Sequence, residues 1–466
     1  MKQKTLLRGG RVLTMDEGLG DFELGDVLIE GDRIAAVGPD LGGVADETVD
    51  LDGAIVMPGL IDCHVHLWQT AVRGLAAGRW GREYFGVVHP LSARYRPQDI
   101  EVSTYAGAVE LLSYGVTTVL DFCHSVNSPE HAEASLAALD GAGIRALYGY
   151  GFRDRPEVEC RAFRTLEDRI DALHRLYGER GGDGRVRLAV ALNNIEHVEP
   201  SQHAAELGAG RELGLRATVH SNLDGQVTQA AAQGLLGDDV LWVHCGAISD
   251  PELQTMAAGG GAIVCCPEVE AGLTATTPIV GRARRHGVPV GLGVDVPTAV
   301  NADLLTQMRI TYAIDRLLDG ETDRRQGRDS KRTATSPTLD ARAVVEMATI
   351  RAAGLLGLEA ETGSLTPGKQ ADLVVLSNHP YGLGAGDPYD HVLFQTGSRD
   401  VDSVYVGGQP RVRRGRLLDV DLSRLRGQLD ASRDWVTGRD ENARWNEMSE
   451  AERADYEANQ GAPVGG

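Results

Sequence analysis

"PGLIDCHVHLWQT", residues 58–70, decides the reading of this chain. His64 and His66 stand one residue apart, just after an apolar run and the acid Asp62. In a strand, residues i and i+2 point to the same face, about 6–7 Å apart. Two imidazoles so placed can reach one metal ion, each at about 2.0–2.1 Å. An isolated H-x-H fits two ordinary polar histidines at a strand end equally well, so the rest of the chain has to decide.

Working outward from this stretch, short apolar segments alternate with turns and longer amphipathic segments. The segments that read as strands are "AIVMPGLIDCHVHL", "GVTTVLDFC", "GIRALYGYGF", "GRVRLAVALNN", "GLRATVHS", "DVLWVHCGA", "GAIVCCPE" and "VPVGLGVDV". Helices are expected between them, as at 96–115 and 200–214. Strands alternating with helices imply parallel βαβ units and the α/β class. Eight of them match a (β/α)8 TIM barrel, whose active site lies at the strand C-terminal ends. Residues 1–57 and 366–420 are written differently, in β-runs punctuated by Gly and Asp. They are expected to form one composite β-sandwich domain, with the barrel (58–365) inserted and a helical, charged tail over 421–466. The polar stretch 320–340 reads as a mobile loop.

Composition narrows the function. Of 466 residues, 42% are hydrophobic and 24% charged, which suits a globular core-builder. A formal net charge of −21 argues against nucleic acid as a partner. No apolar run is long enough to span a membrane, and the N-terminal text lacks an apolar signal core. A cytoplasmic enzyme with a small-molecule or modified-peptide substrate is expected, with a homodimer left open. Cys63, Cys123, Cys160, Cys245, Cys265 and Cys266 form no C-x-x-C pair and read as reduced, buried thiols.

The strand ends collect the chemistry. Asp62, His64 and His66 end the first strand, Asp121, Cys123 and His124 the second, His220 the fifth, His244 the sixth and Asp295 the eighth. Three neutral imidazoles and a carboxylate leave a coordination position open for water, the mark of a catalytic zinc site. His64, His66 and His220 are expected as nitrogen ligands of one divalent metal per chain, zinc first, with iron or manganese as alternatives. Asp295 would touch the metal and act as general base, and His244 would hydrogen-bond the nucleophile or polarise the substrate.

With these residues in place, the chain resembles the amidohydrolase superfamily, in the branch of cytosine, guanine and adenosine-type deaminases and triazine hydrolases. The matching text is "VMPGLIDCHVHLWQT", "GVTTVLDF", "ATVHS", "VHCGAIS", "CCPEVEAGL", "GVPVGLGVDV", "MATIRAAGLLGL" and "TGSLTPGKQADLVVL". The resemblance, running from about residue 5 to 418, implies a metal-dependent hydrolase. No lysine stands in "RLAVALNN", so the bridging carbamylated lysine of binuclear relatives is absent and a single metal is implied. Ring deaminases of this branch carry H-x-x-E after strand five; here "HSNLDG" puts Leu223 in the glutamate slot and Asp224 one position late. In "CPEVEAG", Glu268 and Glu270 replace the more usual small polar residues.

The function expected is hydrolysis of a carbon–nitrogen bond in an amide, amidine or nitrogen heterocycle, by attack of metal-activated hydroxide. The alternatives are ring deamination with ammonia release and a catalytically weak metal-binding relative. Gln69, His124, His197, Glu268 and Glu270 are the expected substrate contacts, with Trp68 and Arg73 on the same loop as Gln69. His89, His131, His174, His203, His286, His379 and His391 read as surface or packing residues.

Overall fold

The apolar run at 54–67 divides at Pro58 and Gly59 into two strands that serve different sheets. The structure, a computed structural model, describes residues 2–78, 81–153, 162–329, 339–377 and 386–438; Cys160, His379 and the tail beyond 438 lie outside them. Ile55–Pro58 pairs antiparallel with Leu373–Leu376 and parallel with Lys4–Val12. Leu60–Val65 opens the barrel. One strand was expected here. Gly59 makes the break possible, since a Cβ on it would lie 2.2 Å from the Thr117 side chain.

The barrel strands are Leu60–Val65, Val116–Cys123, Arg145–Gly151, Val186–Ala191, Ala217–Ser221, Val240–His244, Ala262–Cys265 and Val290–Leu292. Each pairs in parallel with the next. Their residues are nearly all buried, as expected for strands covered on both faces. Eighth and first strands meet through a bridge between Val65 and Asp295. There the His66 amide donates to the Asp295 carbonyl at 2.8 Å, and the Asp295 amide to the His64 carbonyl at 2.9 Å. Gly293 permits this approach: a Cβ would stand 2.6 Å from the His64 oxygen.

The helix expected at 96–115 spans Pro97–Ser113, and that at 200–214 spans Pro200–Glu212. Helix Leu304–Arg325 runs into the stretch read as a loop, so residues 320–325 are helical, while 330–338 fall outside the described residues.

Strands from both chain ends, Lys4–Val12 through Ile55–Pro58 and Leu373–Leu376 through Arg416–Leu417, build a nine-stranded sheet. It closes as a β-sandwich over its own core, which includes Leu7, Val27, Ile29, Val56, Leu373 and Tyr405. A buried ion pair ties it to the barrel: Arg145 Nε lies 2.6 Å from Asp372 Oδ2, with the side chains 5% and 0% exposed. The last helix among the described residues, Leu422–Val436, packs on Pro97–Ser113. Trp435 Nε1 donates to the Arg94 carbonyl at 3.0 Å, and the Arg96 guanidinium sits 3.7 Å above the Trp435 ring. Among the described residues no helix is long and apolar enough to cross a membrane.

Candidate active site

Four histidines crowd the C-terminal mouth of the barrel. His64 stands edge-on to His66 and His220, with ring centroids 4.7 and 4.9 Å away. His220 stacks on His244 at 5.5 Å. Ligand atoms of His64, His66 and His220 all lie within 4.8 Å of one another. Asp295 enters from the eighth strand, its Oδ1 3.4 Å from His64 Nε2 and 3.2 Å from His66 Nε2. Ligand atoms about 2.1 Å from a tetrahedral ion are about 3.4 Å apart, so this spacing suits a shared ion.

The surroundings prepare these groups. His66 donates through Nδ1 to the Phe122 carbonyl at 2.8 Å, which leaves Nε2 bare toward the site. Burial pushes His64 down to about 4. Burial, reinforced by the neighbouring imidazoles, also holds His220 well below its ordinary value. Both rings are therefore neutral, as ligands must be. Both ring nitrogens of His64 and Nδ1 of His220 are buried without a hydrogen-bond partner among the described residues, an unsatisfied set that a cation would complete. For Asp295, burial works against the charge, but His64 and His66 outweigh it and hold the carboxyl well below its usual range. Asp62 and Asp121 work from below: their Oδ1 atoms accept from the amides of His64 and Leu67 at 3.0 and 3.1 Å. Burial raises them to about 8 and about 7.

Backbone strain gathers at the same place. His244, Cys245 and Asp295 have φ of 72°, 59° and 68°, a left-handed region that non-glycine residues occupy at a cost and mostly at functional sites. His244 lies between two carboxylates, with Nε2 3.6 Å from Asp295 Oδ2 and Nδ1 3.4 Å from Glu270 Oε1. Burial alone would lower its pKa, yet the Glu270 hydrogen bond and the charges of Asp295 and Glu270 raise it.

Above the histidines opens a cavity of about 660 Å³, lined by His66, His220, His244, Asp295, Phe122, His124, Tyr84, Phe85, His89, Arg153, Asn193, Asn194, Glu196 and His197, among others. His124 and His197 therefore face the space in which a substrate would sit. Gln69 and Glu268 do not line it. Gln69 is buried, donating to Tyr84 Oη at 2.7 Å and accepting from Thr298 Oγ1 at 2.8 Å. Glu268 accepts from Gln307 Nε2 at 2.8 Å. Glu270 is fully buried behind His244 and likewise does not line the cavity. Trp68 is buried in the core and Arg73 pairs with Glu110.

His89 is a correction in the other direction. It lines the cavity and accepts from Arg153 at 2.6 Å, whereas His131 and His203 are buried packing residues. Arg153 and Asn193 each follow a barrel strand by two residues, a position from which they were legible. Tyr84, Phe85 and His89 sit on helix Gly81–Leu91, an amphipathic segment between the first two barrel strands. Leu223 is 53% exposed, and Asp224 accepts from the Ser249 amide at 3.1 Å; neither lines the cavity.

Comparison with known proteins agrees with this geometry. The chain is 30% identical over 428 residues to a 5-methylthioadenosine/S-adenosylhomocysteine deaminase of Symbiobacterium thermophilum, covering 87% of this chain and 93% of that one. It is 25% identical to a 5'-deoxyadenosine deaminase of Methanosarcina mazei, covering 90% and 95%. In fold it resembles a zinc-bound adenosine deaminase from Xanthomonas campestris, with TM-score 0.83, 22% identity and coverage of 94% and 99%. An atrazine chlorohydrolase of Arthrobacter aurescens with bound zinc superimposes with TM-score 0.78 at 24% identity, covering 92% and 100%. Residues 55–411 match the amidohydrolase family, and the chain belongs to that family as a metal-dependent hydrolase of carbon–nitrogen bonds.

Proposed function

We propose that this enzyme hydrolytically removes an amino group from a nitrogen heterocycle of nucleoside size. The observation that carries the reading is the cradle of His64, His66, His220 and Asp295 at the floor of a cavity of about 660 Å³. These four residues would hold one divalent ion. Zinc is the first choice for three neutral imidazoles and a carboxylate, and the zinc-bound structural neighbours support it. A zinc ion in such a site lowers the pKa of water to about 7.

The chain's own groups do the rest. Asp295, ionised at any working pH, would face the ion through the oxygen beside His64 and His66. Its other oxygen, facing His244, is placed to take the proton of the attacking water and to pass the same proton toward the leaving nitrogen. His244 Nε2 hydrogen-bonds the reacting atoms as charge develops on the attacked carbon's substituents. Phe122, Tyr84 and Phe85 offer flat apolar faces, while His124 and His197 offer polar edges, the mixture that orients a heterocycle. The relatives named as adenosine-derivative deaminases support this substrate class.

A second reading, cleavage of an amide or amidine, is favoured by one observation: neither Leu223 nor Asp224 reaches the cavity to assist a ring nitrogen. Metal content by elemental analysis, together with ammonia release, separates the two. The panel is 5'-methylthioadenosine, S-adenosylhomocysteine, adenosine, guanine and cytosine, set beside cyclic amidines and amides. About one zinc per chain with ammonia from a ring amine supports deamination. The same zinc with cleavage of an amide or amidine alone selects the second reading, and a folded chain that binds no metal overturns both.

A further inference from the structure

We propose that Glu270 is a positioning residue that fixes which nitrogen of His244 faces the reacting atoms. Glu270 is fully buried and lies outside the cavity lining, so it acts through another residue. Its Oε1 accepts from the Cys266 amide at 2.7 Å and stands 3.4 Å from His244 Nδ1. Its Oε2 is buried with no hydrogen-bond partner among the described residues. A buried carboxylate oxygen without a partner is costly, so an apolar residue would suit the position better if packing were its only task.

Glu270 is held through its main chain. Its backbone carbonyl accepts from the Thr276 amide at 2.8 Å and from Thr274 Oγ1 at 3.1 Å. His244 is equally constrained: its φ of 72° throws the ring off the end of its strand, and the next amide, of Cys245, donates to the Ser221 carbonyl at 3.0 Å. A carboxylate accepts and does not donate, so the ring must carry its proton on Nδ1 to meet Glu270. Nε2 is then the atom presented to Asp295 and the cavity, whether or not the ring carries a second proton. This is how carboxylates behind active-site imidazoles select a tautomer. The carboxylate serving the catalytic imidazole thus comes from the short helix Pro267–Gly272 after strand seven, in a chain whose usual glutamate position after strand five is Leu223.

The inference rests on His244 facing the reacting atoms, and its test does not need a substrate. In zinc-loaded, 15N-histidine-labelled protein at pH 8, with His244 assigned by its loss in H244N, the ring should be protonated on Nδ1. A bare Nδ1 in the wild type overturns the proposal without recourse to any variant. In E270A that single state should give way to a mixture, and E270Q, which can still accept from Nδ1–H, should restore it. An unchanged His244 signal in folded, zinc-loaded E270A also overturns it. With any substrate the panel yields, E270A should lower kcat about 10–100-fold, leave KM within about threefold, and add nothing in the H244N background. Additive losses, or a loss carried by KM, would make Glu270 a structural or substrate-binding residue instead. Failure of the whole panel would count against the proposed reaction and leave the tautomer result standing.

Discussion

His66 and Asp295 meet twice: through the backbone, amide to carbonyl at 2.8 Å, and through the side chains, Nε2 to Oδ1 at 3.2 Å. The seam that closes the barrel is therefore also the place where its catalytic groups converge. Shape and chemistry are separable there, because the backbone contact survives a change of side chain. Asp295→Asn should keep the fold and much of the metal while losing the proton acceptor. A fall in kcat of about 10²–10⁴-fold is expected, with zinc content and circular dichroism little changed. Turnover near the wild-type level in Asp295→Asn would remove Asp295 from the role of general base.

Replacing both His64 and His66 by Ala takes away two imidazoles with few other tasks: neither ring nitrogen of His64 has a hydrogen-bond partner among the described residues, and His66 bonds otherwise to the Phe122 carbonyl. Zinc measured by elemental analysis should fall toward zero per chain, and activity with it. The upward shift in Tm that excess zinc gives the wild type by binding the folded state should vanish in the double variant. Wild-type turnover in metal-free double variant would sink the mechanism.

How much of this was legible beforehand follows from geometry. The i, i+2 spacing of His64 and His66, and the position of His220, His244 and Asp295 at strand ends, are sequence features that a parallel barrel translates directly into one locus. Gln69 shows where that translation stops. Residues 67–72 form a short 3₁₀ turn immediately after the strand, which tucks Gln69 beneath the cavity between Tyr84 and Thr298. Glu270 fails for the same reason: on the short helix Pro267–Gly272, the direction of a side chain depends on how the helix docks. The 54–67 run reads as one strand because both halves are apolar, although the domain boundary at 57/58 falls inside it; the close approach of Thr117 to Gly59 marks where the two strands part.

Arg145 and Asp372 join barrel and sandwich in a buried pair, and Asp372 Oδ1 also accepts from the Gly407 amide at 2.7 Å. Removing one partner strands the other charge. Arg145→Met should cost about 3–5 kcal/mol, read as a lower denaturation midpoint in urea. A double variant that also removes the Asp372 charge should recover part of the loss. A single variant within about 0.5 kcal/mol of wild type would mean that water reaches the pair.

His203 offers a pH test away from the metal cradle. Burial alone lowers it to about 4, and its Nε2 has no hydrogen-bond partner among the described residues. The unfolded chain, with an ordinary value near 6.5, binds the proton first as pH falls. Stability from this residue is therefore complete above pH 6.5 and is lost as pH drops toward 4, by up to about 3 kcal/mol. His203→Gln should flatten that part of the pH–stability curve relative to wild type. Parallel curves for the two proteins would show that the folded chain protonates His203 as easily as the unfolded one.

Leu223→Glu rebuilds the H-x-x-E pattern after His220, and the structure says that the sequence motif alone will not suffice. The Gln226 side-chain oxygen accepts from Ser221 Oγ and from the amides of Asn222 and Leu223 at 3.1, 2.8 and 3.0 Å. Those three bonds curl the loop so that residue 223 faces solvent. Gln226 is in turn held by its bond to Glu196, so a new carboxylate at 223 would have to break this network to turn inward. Its own hydration by exposed solvent opposes that move. Stability should change by no more than about 0.5 kcal/mol, as for most surface substitutions, and kcat/KM should stay within about threefold of wild type. A gain of tenfold or more on a ring amine would mean that the loop swings inward when substrate binds, and would place residue 223 in the reaction after all.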